Sequence, residues 1–269
     1  MNRDLWEQVQ FKIEEFSNYP CPVCKGGKLM LHNDKFIKAE SANTKKWKNE
    51  EYWEPGNADV RFTCVLTCTN DFCREDVICS GMEIYQFEVE FHRADPSDPT
   101  DFDEVFDYFR PHLKPMLFIP HLVLFEIPSS IGKEIQSQIN LSFSHFFFDS
   151  SAASNALRTA LELIMDERGV SKIPIGKTRR NSLHKRIEEF GKLEPELKPF
   201  LEAAKWIGNA GSHSSHLSRE DILDGYEMLE HVLDELYVKP DKMNKLKTLT
   251  LKAQEINIAK KPRSEKDSK

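Results

Sequence analysis

Hydrophobic positions change their period once along this chain. Val60-Arg61-Phe62-Thr63-Cys64-Val65-Leu66-Thr67-Cys68 alternates apolar and polar residues and predicts a strand; Asp76–Cys79 starts another. Met82 to Phe91 keeps the alternation, with Ile84, Phe87, Val89 and Phe91 available for packing. From Pro128 onward the period is helical. Ser129 or Ser130 can cap a helix whose apolar positions are Ile131, Ile135, Ile139, Phe143 and Phe146. A second helix runs from about Ser151 to Arg168, with Ala153, Ala156, Leu157, Ala160, Leu161, Ile164 and Met165 on one face and Gly169 as its stop. Ser182–Phe190 predicts a short helix. Pro195 starts another that carries Leu197, Leu201, Ala204 and Ile207. Ser218-Arg219-Glu220-Asp221 has the pattern of a capping box, with Asp in place of Glu. The last helix then buries Ile222, Leu229, Val232, Leu233 and Leu236 and is expected to end near Lys239-Pro240.

Four main helices with short links imply a bundle, and the fold class is α+β. Between the strands and the helices, Asp95-Pro96-Ser97-Asp98-Pro99-Thr100-Asp101 is turn-rich and acidic. Pro111, Pro115 and Pro120 follow, so residues 95–127 are expected to be an extended linker that packs its aromatics against the next domain. The expected organisation is a β domain with an N-terminal helix over 1–94, that linker, a helical bundle over 128–240, and a basic, flexible tail over 241–269. The first part of this tail could extend as an amphipathic helix.

Of the 269 residues, 39% are hydrophobic and 30% charged. That suffices for a packed core and argues against wholesale disorder. No run approaches ~18 apolar residues, so no membrane span is expected. The opening Met1-Asn2-Arg3-Asp4-Leu5-Trp6 lacks the apolar stretch of a signal peptide, and a cytoplasmic location is the expectation. The net charge of −7 is unevenly spread. Residues 239–269 hold ten basic and four acidic side chains, leaving −13 on the rest. Any contact with RNA or DNA must therefore be local rather than driven by bulk charge.

All six cysteines precede residue 80: Cys21, Cys24, Cys64, Cys68, Cys73 and Cys79. Clustered thiols in a reducing compartment favour a metal over disulfides. Cys21-Pro22-Val23-Cys24-Lys25-Gly26-Gly27 has the form of a zinc knuckle, two thiolates on a tight turn with glycines that let the backbone fold under the sulfurs. Cys68-Thr69-Asn70-Asp71-Phe72-Cys73 forms a second turn with a looser spacing. Cys21, Cys24, Cys68 and Cys73 are thus assigned as the four-cysteine site of a zinc ribbon, holding a structural Zn2+ with no open position for water. Cys64 could stand in for Cys68. Cys79 reads as a small apolar core residue.

An insertion of roughly Leu29 to Thr67 separates the knuckles and contains Lys45-Lys46-Trp47-Lys48 and Tyr52-Trp53. Basic and aromatic residues interleaved in this way can bind single-stranded nucleic acid. Glu50, Glu51 and Glu54 dilute the positive charge, which favours a hairpin whose aromatics cover a small ribbon core.

Ala156-Leu157-Arg158-Thr159-Ala160-Leu161-Glu162, Trp206-Ile207-Gly208-Asn209-Ala210-Gly211-Ser212-His213 and the closing Leu236-Tyr237-Val238-Lys239-Pro240 resemble the domain-of-unknown-function family numbered 4145, in the HEPN superfamily of small helical bundles. The resemblance covers about residues 125–240. It implies a HEPN-like four-helix bundle, pairing into a homodimer, and a place in bacterial restriction, toxin–antitoxin or phage-defence systems. Active members of that superfamily cleave RNA without metal, using an Arg and a His a few residues apart. A His can take the proton from a ribose 2′-OH while an Arg holds the charge that develops on the phosphate. His213 fits the His position, but Gly208 stands where the Arg would precede Asn209. Lys205 and Asn209 share a helix face, and Arg158 on the preceding long helix could supply the cation; Arg158 and Glu162 could equally form a structural pair that orients Asn209. Catalytic candidates are therefore His213, Asn209, Lys205, Arg158 and Glu162. The missing Arg favours a module that binds nucleic acid or a partner protein of a defence system. The alternatives are a metal-independent endoribonuclease and a structural sensor or antitoxin-like subunit.

Overall fold

The computed structural model describes residues 1–16, 18–93, 102–173, 176, 178–210 and 217–260. Four strands, β1 (Leu29–Glu40), β2 (Val60–Cys68), β3 (Asp76–Arg93) and β4 (Phe102–Ile119), form an antiparallel sheet in sequence order. Alternation places Val60, Phe62, Cys64, Leu66 and Cys68 of β2 inward, as its pattern predicts. Between β1 and β2 lie a short helix, α2 (Ala42–Trp47), and a single 3-10 turn at Pro55–Asn57; α1 (Arg3–Glu7) precedes the sheet.

Residues 102–119 are where the linker expectation fails. They pair with β3 along their length, Tyr85 facing Pro111 and Gly81 facing Pro115. β4 lies at the end of the sheet order, where a proline's missing N–H costs no ladder bond within the sheet. Among the described residues, only Phe11 bonds its outer side, exchanging backbone bonds of 3.0 and 2.8 Å with Leu113. Gly81 is required here, because a Cβ would collide with the Lys114 carbonyl.

The helices are α3 (Lys133–His145), α4 (Ser150–Glu167), α5 (Leu183–Phe190), α6 (Lys198–Ala210) and α7 (Arg219–Leu233). Asp149, Ser182 and Ser218 cap α4, α5 and α7, and the Ser218–Asp221 capping box forms in full. α4 is the central helix. Its small residues, with Gly208 of α6 and Gly225 of α7 against Arg158 and Leu157, allow close helix approach.

The last helix does not stop at Lys239-Pro240. After a π-helical turn at Asp234–Val238 the chain continues as α8 (Lys239–Lys260), so the part of the expected flexible tail up to residue 260 is helical. Pro240 cannot donate to the Leu236 carbonyl four residues back, and Arg168 supplies that bond instead at 2.8 Å. The remaining tail, 261–269, lies outside the described residues.

Sheet and helices share one core. Trp6 stacks on Tyr19 at 5.7 Å, Tyr19 meets Phe118 of β4 edge-on at 5.3 Å, and Phe118 meets Phe147 beyond α3 at 4.7 Å. Arg3 of α1 adds ion pairs to Asp224 and Glu227 of α7. These contacts fix the cysteine end of the sheet relative to the helices.

Candidate functional site

Two turns bring the four assigned cysteines together. In the first, the Cys21 N–H donates to the Gly27 carbonyl at 2.8 Å and the Lys25 N–H to the Cys21 carbonyl at 3.0 Å. In the second, the Cys68 N–H donates to Glu75 at 2.8 Å, and the Cys73 and Arg74 N–H groups both donate to Asn70 at 2.9 Å. The residue after each second cysteine takes the left-handed conformation, Lys25 at φ 57° and Arg74 at φ 49°, which turns the chain away from the sulfurs. The turns are stitched together where the Thr69 N–H donates to Lys28 O at 2.9 Å.

The Sγ atoms of Cys21, Cys24, Cys68 and Cys73 all lie within 4.8 Å of one another, and all six cysteines are free thiols. Cys21 and Cys73 are 3.7 Å apart, Cys24 and Cys68 3.6 Å. Four close sulfurs could hold a metal ion. The Gly27 N–H points at Cys24 Sγ at 3.3 Å and the Asn70 N–H at Cys68 Sγ at 3.4 Å. The Gly27 bond holds Cys24 down to about 6, whereas burial pushes Cys68 up to about 12. A metal cation placed beside a buried thiol of the second kind favours loss of its proton. Cys64 and Cys79 stand apart from this group, directly opposite each other on β2 and β3 and buried. Burial raises Cys79 well above the usual thiol range, which suits an apolar packing role.

A second polar cluster lies between α4 and α6. Arg158 donates a guanidinium N–H to the Asn209 amide oxygen and approaches Glu162 at 3.5 Å. Glu162 also pairs with Lys172 at 3.0 Å. Lys205 is buried and directs Nζ to His184 Nδ1 of α5 at 3.2 Å. Burial lowers its pKa below the usual lysine range. Four of the five catalytic candidates are thus placed, with Arg158, Asn209 and Glu162 in direct contact and Lys205 one helix turn before Asn209. His213, the fifth, lies outside the described residues.

Sequence reasoning missed Lys172 and His184. Both come from the neighbourhood of α5, and no spacing in the chain links them to α4 or α6. It also missed the sulfur-directed N–H groups, for which the Gly26-Gly27 pair was the one available sign.

Residues 142–250, from within α3 to within α8, match the model of a domain of unknown function, DUF4145. The helical part matches the family its motifs resemble. Residues 9–114, from before the first knuckle into β4, match a second domain of unknown function, DUF8608. No curated protein and no solved structure matches the chain. Among the described residues, no helix is long and apolar enough to cross a membrane.

Proposed function

We propose that this protein is a zinc-clamped, HEPN-like module of a bacterial defence system, which binds nucleic acid or a partner protein and does not cut RNA by itself. The zinc reading is supported by edge length. Zinc–thiolate bonds of about 2.3 Å in a tetrahedron require sulfur–sulfur edges of about 3.8 Å. Two of the six sulfur–sulfur separations are 3.6 and 3.7 Å, and all four sulfurs lie within 4.8 Å of one another. Four sulfurs fill the coordination shell, so the ion is structural, and the N–H groups of Gly27 and Asn70 support the thiolates from behind.

One observation carries the binding reading. The two cations that could replace the missing Arg already have partners inside the fold: Arg158 is held by Asn209 and Glu162, and Lys205 is buried against His184. A phosphate in the transition state needs an accessible cation, whereas the charge of Arg158 is offset by Glu162 and Lys205 is buried. The runner-up, an endoribonuclease using His213 and Asn209, draws on the same contact, since it puts a guanidinium beside Asn209. The family resemblance supports the defence setting and pairing of two bundles as a homodimer.

Affinity capture of the full chain from cells that make it, with and without nuclease treatment, tests the binding reading. Release of the captured material by nuclease identifies nucleic acid as the ligand. A protein that remains at stoichiometric yield after nuclease identifies an assembly partner. Nothing retained above a tag-only control in either arm contradicts the proposal.

A further inference from the structure

The segment between β1 and β2 folds into a concavity that neither the metal centre nor the α4–α6 cluster uses. Its floor is fixed by Asp59, whose N–H donates to Thr44 Oγ1 at 2.8 Å and whose carbonyl accepts from the Ser41 N–H at 2.9 Å. Successive turns then carry Trp47, Glu50 and Trp53 round the rim, since the Glu50 N–H donates to Trp47 O at 2.9 Å and the Trp53 N–H to Glu50 O at 3.1 Å. Trp47, Tyr52 and Trp53 line the resulting space of about 490 Å3 together with Glu50, Asn57 and Asp59. Among the described residues, no lysine or arginine lines it.

Three features of this lining point to one ligand chemistry. Three large aromatic side chains line it, and aromatic faces attract cations. Two carboxylates supply formal negative charge. Asp59 Oδ1 is buried with no hydrogen-bond partner among the described residues, while Oδ2 accepts from Arg61 at 3.1 Å. Trp47 already takes a cation on its ring: Lys46 Nζ, which does not line the concavity, stands 4.3 Å from its centroid.

We propose that this concavity binds an organic cation, an alkylammonium or guanidinium group, with the head resting against Trp47, Tyr52 and Trp53 and neutralised by Asp59 and Glu50. The inference is independent of the function proposed above for the helices. Nucleic acid stacking on Trp47 would need Lys45, Lys46 and Lys48 at the site, yet Lys48 is paired with Glu40 at 2.8 Å.

The test is titration of the full-length, metal-loaded protein, followed by tryptophan fluorescence and calorimetry. The probes are choline, its uncharged carbon isostere 3,3-dimethylbutan-1-ol, a trimethyllysine peptide and an oligothymidine. Choline and the peptide are expected to saturate, with the isostere at least tenfold weaker. Trp47→Ala should weaken choline by about 3- to 30-fold, the worth of one cation–π contact. Asp59→Asn should weaken it too, with Glu50→Gln as a second charge variant if Asp59→Asn alters the far-ultraviolet spectrum. Tighter binding of the peptide than of choline assigns the cation to a protein partner; equal binding assigns it to a free small molecule. The proposal is overturned if the isostere binds as well as choline, if neither cation saturates, or if oligothymidine alone binds and gains affinity in Asp59→Asn.

Discussion

Arg158 of α4 donates to the side-chain oxygen of Asn209 on α6, tying the two helices of the bundle at the point where Gly208 lets them touch. That pair decides how the candidate residues are read. An arginine held at a neighbouring helix is a strut, and its charge is already offset by Glu162.

Removing either partner should therefore cost stability. Arg158→Ala and Asn209→Ala are each expected to lower unfolding free energy by about 1–3 kcal/mol. The double variant should lose less than the sum, with a coupling of about 0.5 kcal/mol or more measured by denaturant unfolding. Strict additivity would show that the contact contributes nothing.

Gly208→Ala should separate the same helices. Its Cβ would stand 2.7 Å from the Arg158 Cβ and 3.3 Å from the Ser154 carbonyl, neither of which can swing aside. A loss of about 1–3 kcal/mol is expected, read as a fall in melting temperature with the fold retained.

At the knuckles, Gly27→Ala should expel Cys68 from the sulfur cluster, because the added Cβ would overlap Cys68 Sγ. Zinc measured by elemental analysis is expected near one equivalent per chain in the wild type purified without chelator. The variant should fall below about half an equivalent and melt earlier. A wild type already below half would contradict the four-thiolate assignment.

Lys205 gives the stability a pH slope of known sign. Its folded pKa lies below the unfolded one, so the unfolded chain holds the extra proton in the window between them. Stability from this group consequently rises with pH through that window, up to the usual lysine value. Lys205→Met should remove the slope. The difference between the two stability–pH curves, recorded on the alkaline side, isolates the lysine from the cysteines that titrate nearby.

Much of this architecture was legible in the chain because single elements carry their own patterns. The helix starts at Ser182 and Ser218, the alternation of β2 and the cysteine turns are all local signals, and the structure assembles them. β4 was not legible, because Pro111 and Pro115 veto a central strand and nothing local announces a sheet edge. The Leu236 carbonyl that Pro240 leaves without its helical donor is met by Arg168, 68 positions earlier in the chain. Likewise, the partners of Glu162 and Lys205 come from Lys172 and the His184 helix, which only packing brings near.

RNA cleavage by the bundle separates a strut at Arg158 from a catalytic arginine. Purified wild type, Arg158→Ala and His213→Ala should be incubated with mixed RNA in chelator-free buffer, and the products analysed for 2′,3′-cyclic phosphate ends. The prediction is that wild type yields no more cyclic-phosphate ends than His213→Ala. Cleavage by the wild type that disappears in both variants would contradict it and make Arg158 and His213 a catalytic pair.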